Sequence, residues 1–288
     1  MSSRPAEQPA SPNAADQLPL TSFARAPEAG QRTTRAAALR YPGAKWSLAT
    51  RIIEHFRPHY HYVEPFFGSG AVFFTKMPAP HEVINDRLSL VSNFFRVLRD
   101  RTDELCWVLE TTPWSRDEYD ISDHLTGDEL EDARRFAVRC WQAHASDLAK
   151  KTGWKNRGVR QRAAGMSHRW NKVPSQLREL AWRLKDAEIE NRDAIDVIKR
   201  YRSTDTLIYA DPPYPHGVRT QKMYGNEMSD DDHRVLLDAL HSHPGPVVVS
   251  GYANDMYDKA LDGWERIVMR APKVEKGASR VEVIWVKP

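Results

Sequence analysis

The sequence predicts an α/β fold built on a mainly parallel sheet, and three features carry that prediction. Short apolar strands alternate with helical segments along most of the chain. One strand, 206–210 (TLIYA), is nearly continuously apolar, as a strand covered on both faces must be. The last two strands, 264–269 and 281–286, have no helix between them, so they form a hairpin and leave one strand antiparallel.

Regular patterning begins near Leu39. Residues 46–56 (WSLATRIIEHF) place Leu48, Ile52, Ile53 and Phe56 at helical spacing. A strand at 61–64 (HYVE) leads through a glycine-bearing turn to a helix from about Ala71. The second strand, 82–85 (EVIN), ends at Asp86, and one long helix is expected over roughly 88–110. Residues 116–124, 129–149 and 175–185 read as helices, whereas 150–174 lacks helical period and carries Gly153, Gly158 and Gly165. Ile189 marks a short strand and 193–201 a helix; helices at 229–241 and near 254–261 flank a strand at 246–250 (PVVVS). The stretch between about 105 and 186 is too long for a crossover between strands. It is expected to be a helical insert, 105–186, dividing the sheet domain into 37–104 and 187–288. Residues 1–36, rich in Ala, Pro and Ser, bury too little to offset their ordering entropy and are expected to form a disordered tail.

Composition narrows the function classes. Of 288 residues 41% are hydrophobic, enough for a core, yet no run is long enough for a spanning helix, so no membrane association is expected. A net charge of +3 is too small to demonstrate a nucleic-acid partner for the whole chain. Cys106 and Cys140 stand alone, without disulfide or CxxC spacing, which suits a reducing cytoplasmic compartment. The eleven histidines are scattered, and no metal is expected.

Two segments carry chemistry. In Val63-Glu64-Pro65-Phe66-Phe67-Gly68-Ser69-Gly70 a strand ends in two glycines one residue apart, which lets backbone approach a ligand closely. Asp86 closes the next strand, at the spacing of the acid that binds ribose hydroxyls in nucleotide-binding α/β folds. Asp211-Pro212-Pro213-Tyr214 directly follows the apolar strand. Two prolines donate no backbone hydrogen bond and hold the chain extended, leaving carbonyls and the Asp211 carboxylate as acceptors beside an aromatic face. Such a site suits a flat heterocycle bearing an amino group. A third segment, Arg40-Tyr41-Pro42-Gly43-Ala44-Lys45, offers an aromatic and a lysine at a helix entrance; alone it reads as a turn and cap.

RYPGAK, VEPFFGSG, IND and DPPY, in that order over about residues 39–288, resemble the Dam-type (D12 class) adenine-N6 DNA methyltransferases of phages and bacteria. The resemblance implies a Rossmann-like seven-stranded methyltransferase sheet with its last strand antiparallel and a target-recognition insert. It implies S-adenosylmethionine as cofactor, contacted by Tyr41, Lys45, Asp86 and Asp211, with Glu64, Phe66, Gly68 and Gly70 in the loop around its methionine part. Tyr41 stands where the family often has tryptophan, and Ala44 where it commonly has a second glycine. Asp211, Pro212, Pro213 and Tyr214 become the catalytic set. Asp211 and the Pro212 carbonyl accept from the target amine, while Tyr214 stacks on an adenine extruded from the duplex. Amino-methyl transfer to cytosine N4 or to RNA, and an inert DNA-binding relative, are the alternatives.

Local charge agrees with a DNA partner. Lys155, Arg157, Arg160, Arg162 and Arg169 stand in a run from 150 to 185 that contains the single acid Glu179 and is interleaved with Trp154, Trp170 and Trp182. Residues 215–228 are expected to be a flap over the substrate. Double-stranded DNA is therefore the expected partner of a protein acting as a monomer; the resemblance leaves open a cognate restriction endonuclease as a further partner, which the sequence does not reveal.

Overall fold

A computed structural model describes residues 37–144, 151–156, 165–215, 228–275 and 278–288. The expected tail, the flap at 216–227, and Arg157, Arg160 and Arg162 lie outside the described residues. Seven strands form one sheet: β1 His61–Glu64, β2 His81–Asn85, β3 Ala187–Glu190, β4 Thr206–Ala210, β5 Val247–Tyr252, β6 Glu265–Glu275 and β7 Ala278–Val286. Their spatial order is β3-β2-β1-β4-β5-β7-β6. Strands β1 to β5 run parallel, and β7 is inserted between β5 and β6, antiparallel to both. The order reverses between β1 and β4, which opens a crevice at their carboxyl ends.

Alternation along the strands splits the core into two layers. Tyr62, Leu207 and Tyr209 face one layer; Val63, Ile208 and Ala210 face the other. The second layer lies under α9 (Ala194–Arg200), α10 (Asp230–His241) and α11 (Asp255–Ala260). The first is covered by α1 (Ala49–Ile53), α2 (Ala71–Thr75) and α3 (Ser89–Asp100), joined by α4 (Thr102–Thr111), α6 (Glu129–Gln142) and α8 (Val173–Leu184). Two short helices, α5 (Arg116–Asp120) and α7 (Met166–Trp170), complete the set among the described residues. Leu105, Phe136, Leu177 and Leu184, all between 105 and 186, pack in the same apolar layer as Phe73 and Phe95. None of these helices is long and apolar enough to cross a membrane.

Two local expectations are corrected. The long helix over 88–110 breaks at Arg101, whose φ of −131° and ψ of 43° end α3 and start α4. Phe94, Leu98, Leu105 and Leu109 keep helical spacing across the break, so periodicity alone does not reveal it. The Arg101 guanidinium pairs with Glu104, and the Thr102 hydroxyl donates to the Leu98 carbonyl at 2.7 Å, closing the corner. The supposedly aperiodic stretch 150–174 contains α7 and the start of α8, with Pro174 in the first turn of α8. Helix α7 has no stripe of its own; it is held by Trp170, which is buried and donates to the Thr112 carbonyl at 2.7 Å.

A buried ion cluster ties β2 to α8. Glu82 accepts from Lys76 and from both terminal nitrogens of Arg183, and all three sit in the first core layer. Arg183 lies 3.9 Å from the Phe73 ring centroid and Lys76 4.2 Å from that of Tyr62.

Candidate active site at the carboxyl ends of β1 and β4

The loop after β1 turns into α2 through two left-handed glycines that do different jobs. Gly68 has φ of 51°, and a Cβ there would stand 3.1 Å from the Tyr41 ring, so the bare backbone lets the loop lie against that ring. Gly70, at φ of 68°, is packed beneath Phe67 and Phe74; a Cβ would reach 2.5 Å from Phe67. The Gly68 N–H donates to Asp86 Oδ2 and the Leu88 N–H to Oδ1, each at 2.9 Å. Burial pushes the Asp86 carboxyl up to about 6 despite those two donors. Glu64, at the end of β1, is buried and accepts the Tyr62 hydroxyl at 2.7 Å; desolvation pushes it up to about 8.

Lys45 joins the segments. Its ammonium, on a side chain only 4% exposed, donates to the Gly43 carbonyl at 2.9 Å, to Asp211 Oδ2 at 2.8 Å and to the Tyr214 hydroxyl. A lysine 166 residues before the Asp-Pro-Pro-Tyr turn thus neutralises its carboxylate directly. Tyr214 is buried, with its ring centroid 4.3 Å from that of Tyr252.

These segments surround a cavity of about 360 Å³. Tyr41, Lys45, Glu64, Phe66, Gly68, Asp86, Asp211 and Pro213 line it, whereas Gly70, Pro212 and Tyr214 do not. The sequence reading missed Arg87, Asp193, Ile195, Asp232 and Leu236, which also line the cavity. Two of these carried a legible signal. Asp193 caps α9 after β3, accepting the Ile195 N–H at 2.9 Å, and repeats the acid-after-strand pattern of Asp86. Asp232 belongs to a capping box with Ser229 at the start of α10. Among the described residues no group of three His, Cys, Asp or Glu side chains is placed to hold a metal ion.

Of the expected DNA contacts, Lys155 and Arg169 are described. Lys155 is half-buried, its backbone N–H donating to the Gln142 carbonyl at 2.7 Å and its carbonyl accepting from Trp114. Arg169 is exposed and close enough to Arg40 to depress that guanidinium, after burial the second cause of its lowering. Elsewhere in the basic run the charge is engaged: Arg178 pairs with Asp103 and Arg183 with Glu82. Trp170 is core, and Trp182 is the exposed indole of the run, at 73%.

The parallel sheet reversing at β1 and β4, with an acid-lined cavity on the reversal, is a doubly wound α/β architecture that places its ligand site at the carboxyl ends of the strands. The chain belongs to the D12 class N6 adenine-specific DNA methyltransferase family, whose model matches residues 41–275. The family and sheet expected from the sequence are both met. Among solved structures it is similar to a SAM-dependent methyltransferase from Agrobacterium tumefaciens, at 11% identity and TM-score 0.33, covering 83% of this chain and 59% of that one. It is also similar to the putative methyltransferase yhhF from Escherichia coli, at 10% identity and TM-score 0.33, covering 86% and 87%. No curated protein matches the chain.

Proposed function

We propose that this protein methylates N6 of an adenine extruded from duplex DNA, with Asp211, Pro212, Pro213 and Tyr214 as its catalytic set. The observation that carries the reading is the Asp211 carboxylate, held by Lys45 at the rim of an acid-lined cavity and followed by two prolines. The cavity fits the cofactor's chemistry: five acidic side chains, Glu64, Asp86, Asp193, Asp211 and Asp232, line it for a cation and a diol, and a glycine stands at the point of closest approach to Tyr41. Asp86 takes the ribose hydroxyls, Glu64 to Gly70 surround the methionine part, and Tyr41 and Lys45 close the other side. When bound, the cofactor supplies an electrophilic methyl group. Asp211 and the Pro212 carbonyl accept the two N–H bonds of the target amine, which frees its lone pair from the ring and aims it at the methyl.

Lys155, Arg157, Arg160, Arg162 and Arg169 bind the phosphates around the extruded base. The exposure of Arg169 and its proximity to Arg40, one residue before the cavity wall at Tyr41, support that reading. The free buried thiols of Cys106 and Cys140 support a cytoplasmic protein. Duplex DNA incubated with the protein and S-adenosylmethionine, digested and analysed by mass spectrometry, is expected to contain N6-methyladenine. N4-methylcytosine alone would overturn the base assignment, and cofactor binding without any product would favour the inert relative.

Cofactor binding is expected to depend on pH through Asp86. Its carboxyl is raised above the unfolded value, so folding favours the protonated form, and this part of the apoprotein's stability is lost as pH rises through about 6. The ribose hydroxyls favour the ionised form instead, so affinity rises with pH across that range. Calorimetric titration between about pH 5 and 8 should show the rise, and Asp86→Asn should flatten it. A pH-independent affinity in the unsubstituted protein would remove Asp86 from the cofactor site.

A further inference from the structure

We propose that Ser250 is a positioning residue for methyl transfer, fixing the Asp211 carboxylate through a hydrogen-bond chain that starts at Tyr209. The inference rests on the adenine-N6 reading of the site. Ser250 Oγ lies 2.8 Å from Asp211 Oδ1 and 2.9 Å from the Tyr209 hydroxyl. A carboxylate only accepts, so the Ser250 proton is committed to Asp211 and the Tyr209 hydroxyl must donate to Ser250. The chain therefore has one direction, Tyr209 to Ser250 to Asp211. Burial, and after it the Asp211 charge, push the Tyr209 hydroxyl well above its usual range, so it stays a donor at any working pH.

The strands place the three groups together. Val249 of β5 pairs with Ala210 of β4, so Ser250 comes level with Asp211, and Tyr209 shares the face of Asp211 two residues earlier. Lys45 holds Oδ2 while Ser250 holds Oδ1. The terminal torsion of an aspartate is ordinarily broad, and donors on both oxygens confine it. The remaining lone pairs then point where the target amine must donate. Ser250 is 1% exposed and is not on the cavity wall, so it acts through Asp211 and not on substrate. The three residues before it are valines, and a fourth apolar side chain would pack there without a polar group to satisfy. Tyr252, two residues on, backs the Tyr214 ring, so the end of β5 supports both ends of the catalytic tetrapeptide.

The test uses the full-length protein, with methyl incorporation into duplex DNA and the wild-type product identified first. Ser250→Ala is expected to lower kcat by about tenfold to a hundredfold, the loss of one hydrogen bond to a charged group. Cofactor affinity should fall far less than kcat, because Asp86 and the glycine loop are untouched and Asp211 keeps its carboxylate and its bond from Lys45. Ser250→Thr, which keeps the hydroxyl, should recover most of kcat, and Ser250→Cys, of similar size but a weak donor, should stay slow while melting like the wild type. Wild-type kcat in Ser250→Ala would overturn the inference, as would equal losses in the Ala and Thr variants. A wild-type protein that makes no N6-methyladenine would overturn both this and the function it rests on.

Discussion

Asp211→Asn is expected to lower methyl transfer by about 10²–10³-fold, because an amide cannot accept from the target amine and from Lys45 with carboxylate strength. Asp211→Ala should lose as much and also destabilise the protein. From its position at a strand end, Asp211 looks replaceable without harm to the fold. The structure revises that expectation: Lys45 is 4% exposed, and without Asp211 its charge loses the carboxylate that neutralises it. Stranding a fully buried charge costs about 3–5 kcal/mol, and the loss here should be smaller because Asp211 itself is 18% exposed. Methyl incorporation and urea denaturation of the two variants separate the effects. Activity in Asp211→Asn within tenfold of the wild type would remove Asp211 from the chemistry.

The largest effect on stability is expected at Glu82. Its carboxylate, 3% exposed, lies between Lys76 at 3% and Arg183 at 17%, and burial alone would raise its pKa. The two cations outweigh that desolvation and hold it below the usual carboxylate range. Glu82→Gln leaves two cations facing each other in the first core layer, so a loss of about 3–5 kcal/mol is expected. Because the folded carboxyl is depressed, its contribution is complete above the unfolded pKa and is lost as pH falls through the folded one. Replacing Lys76, Glu82 and Arg183 together by Met, Leu and Met should cost less than Glu82→Gln alone, since no buried charge is then left unpaired. Denaturant midpoints across the series measure both. A loss below about 1 kcal/mol in Glu82→Gln would show the cluster to be effectively solvated.

Much of the site was legible because its parts are local. The glycine turn is a backbone requirement, seen in the positive φ of Gly68 and Gly70. Asp86 sits at a strand end, where both its oxygens find backbone N–H donors within two residues or in the turn before. Asp193 repeats this local signal, but as the cap of α9 it reads as a helix start, and only the fold brings it to the cavity. Tyr214 is the opposite case. Its aromatic character is plain in the sequence, but its burial against Tyr252 depends on a strand more than thirty residues later.

The sequence by itself determined the strands of the sheet, the antiparallel last strand and the order of the cofactor and catalytic segments. Apolar alternation, glycine and proline act over a few residues, and so can be read without knowing what lies across the fold. The tertiary structure alone decided how those segments combine. Lys45 reaches Asp211 across 166 positions, Ser250 reaches it across 39, and Arg183 neutralises Glu82 across 101. The break at Arg101 and the docking of α7 through Trp170 belong to the same category. For the buried pairs and for Trp170 the deciding term is the cost of burying a charge or a polar group without a partner. That partner is supplied by chain topology, which brings distant strand ends together, and by nothing in the local pattern.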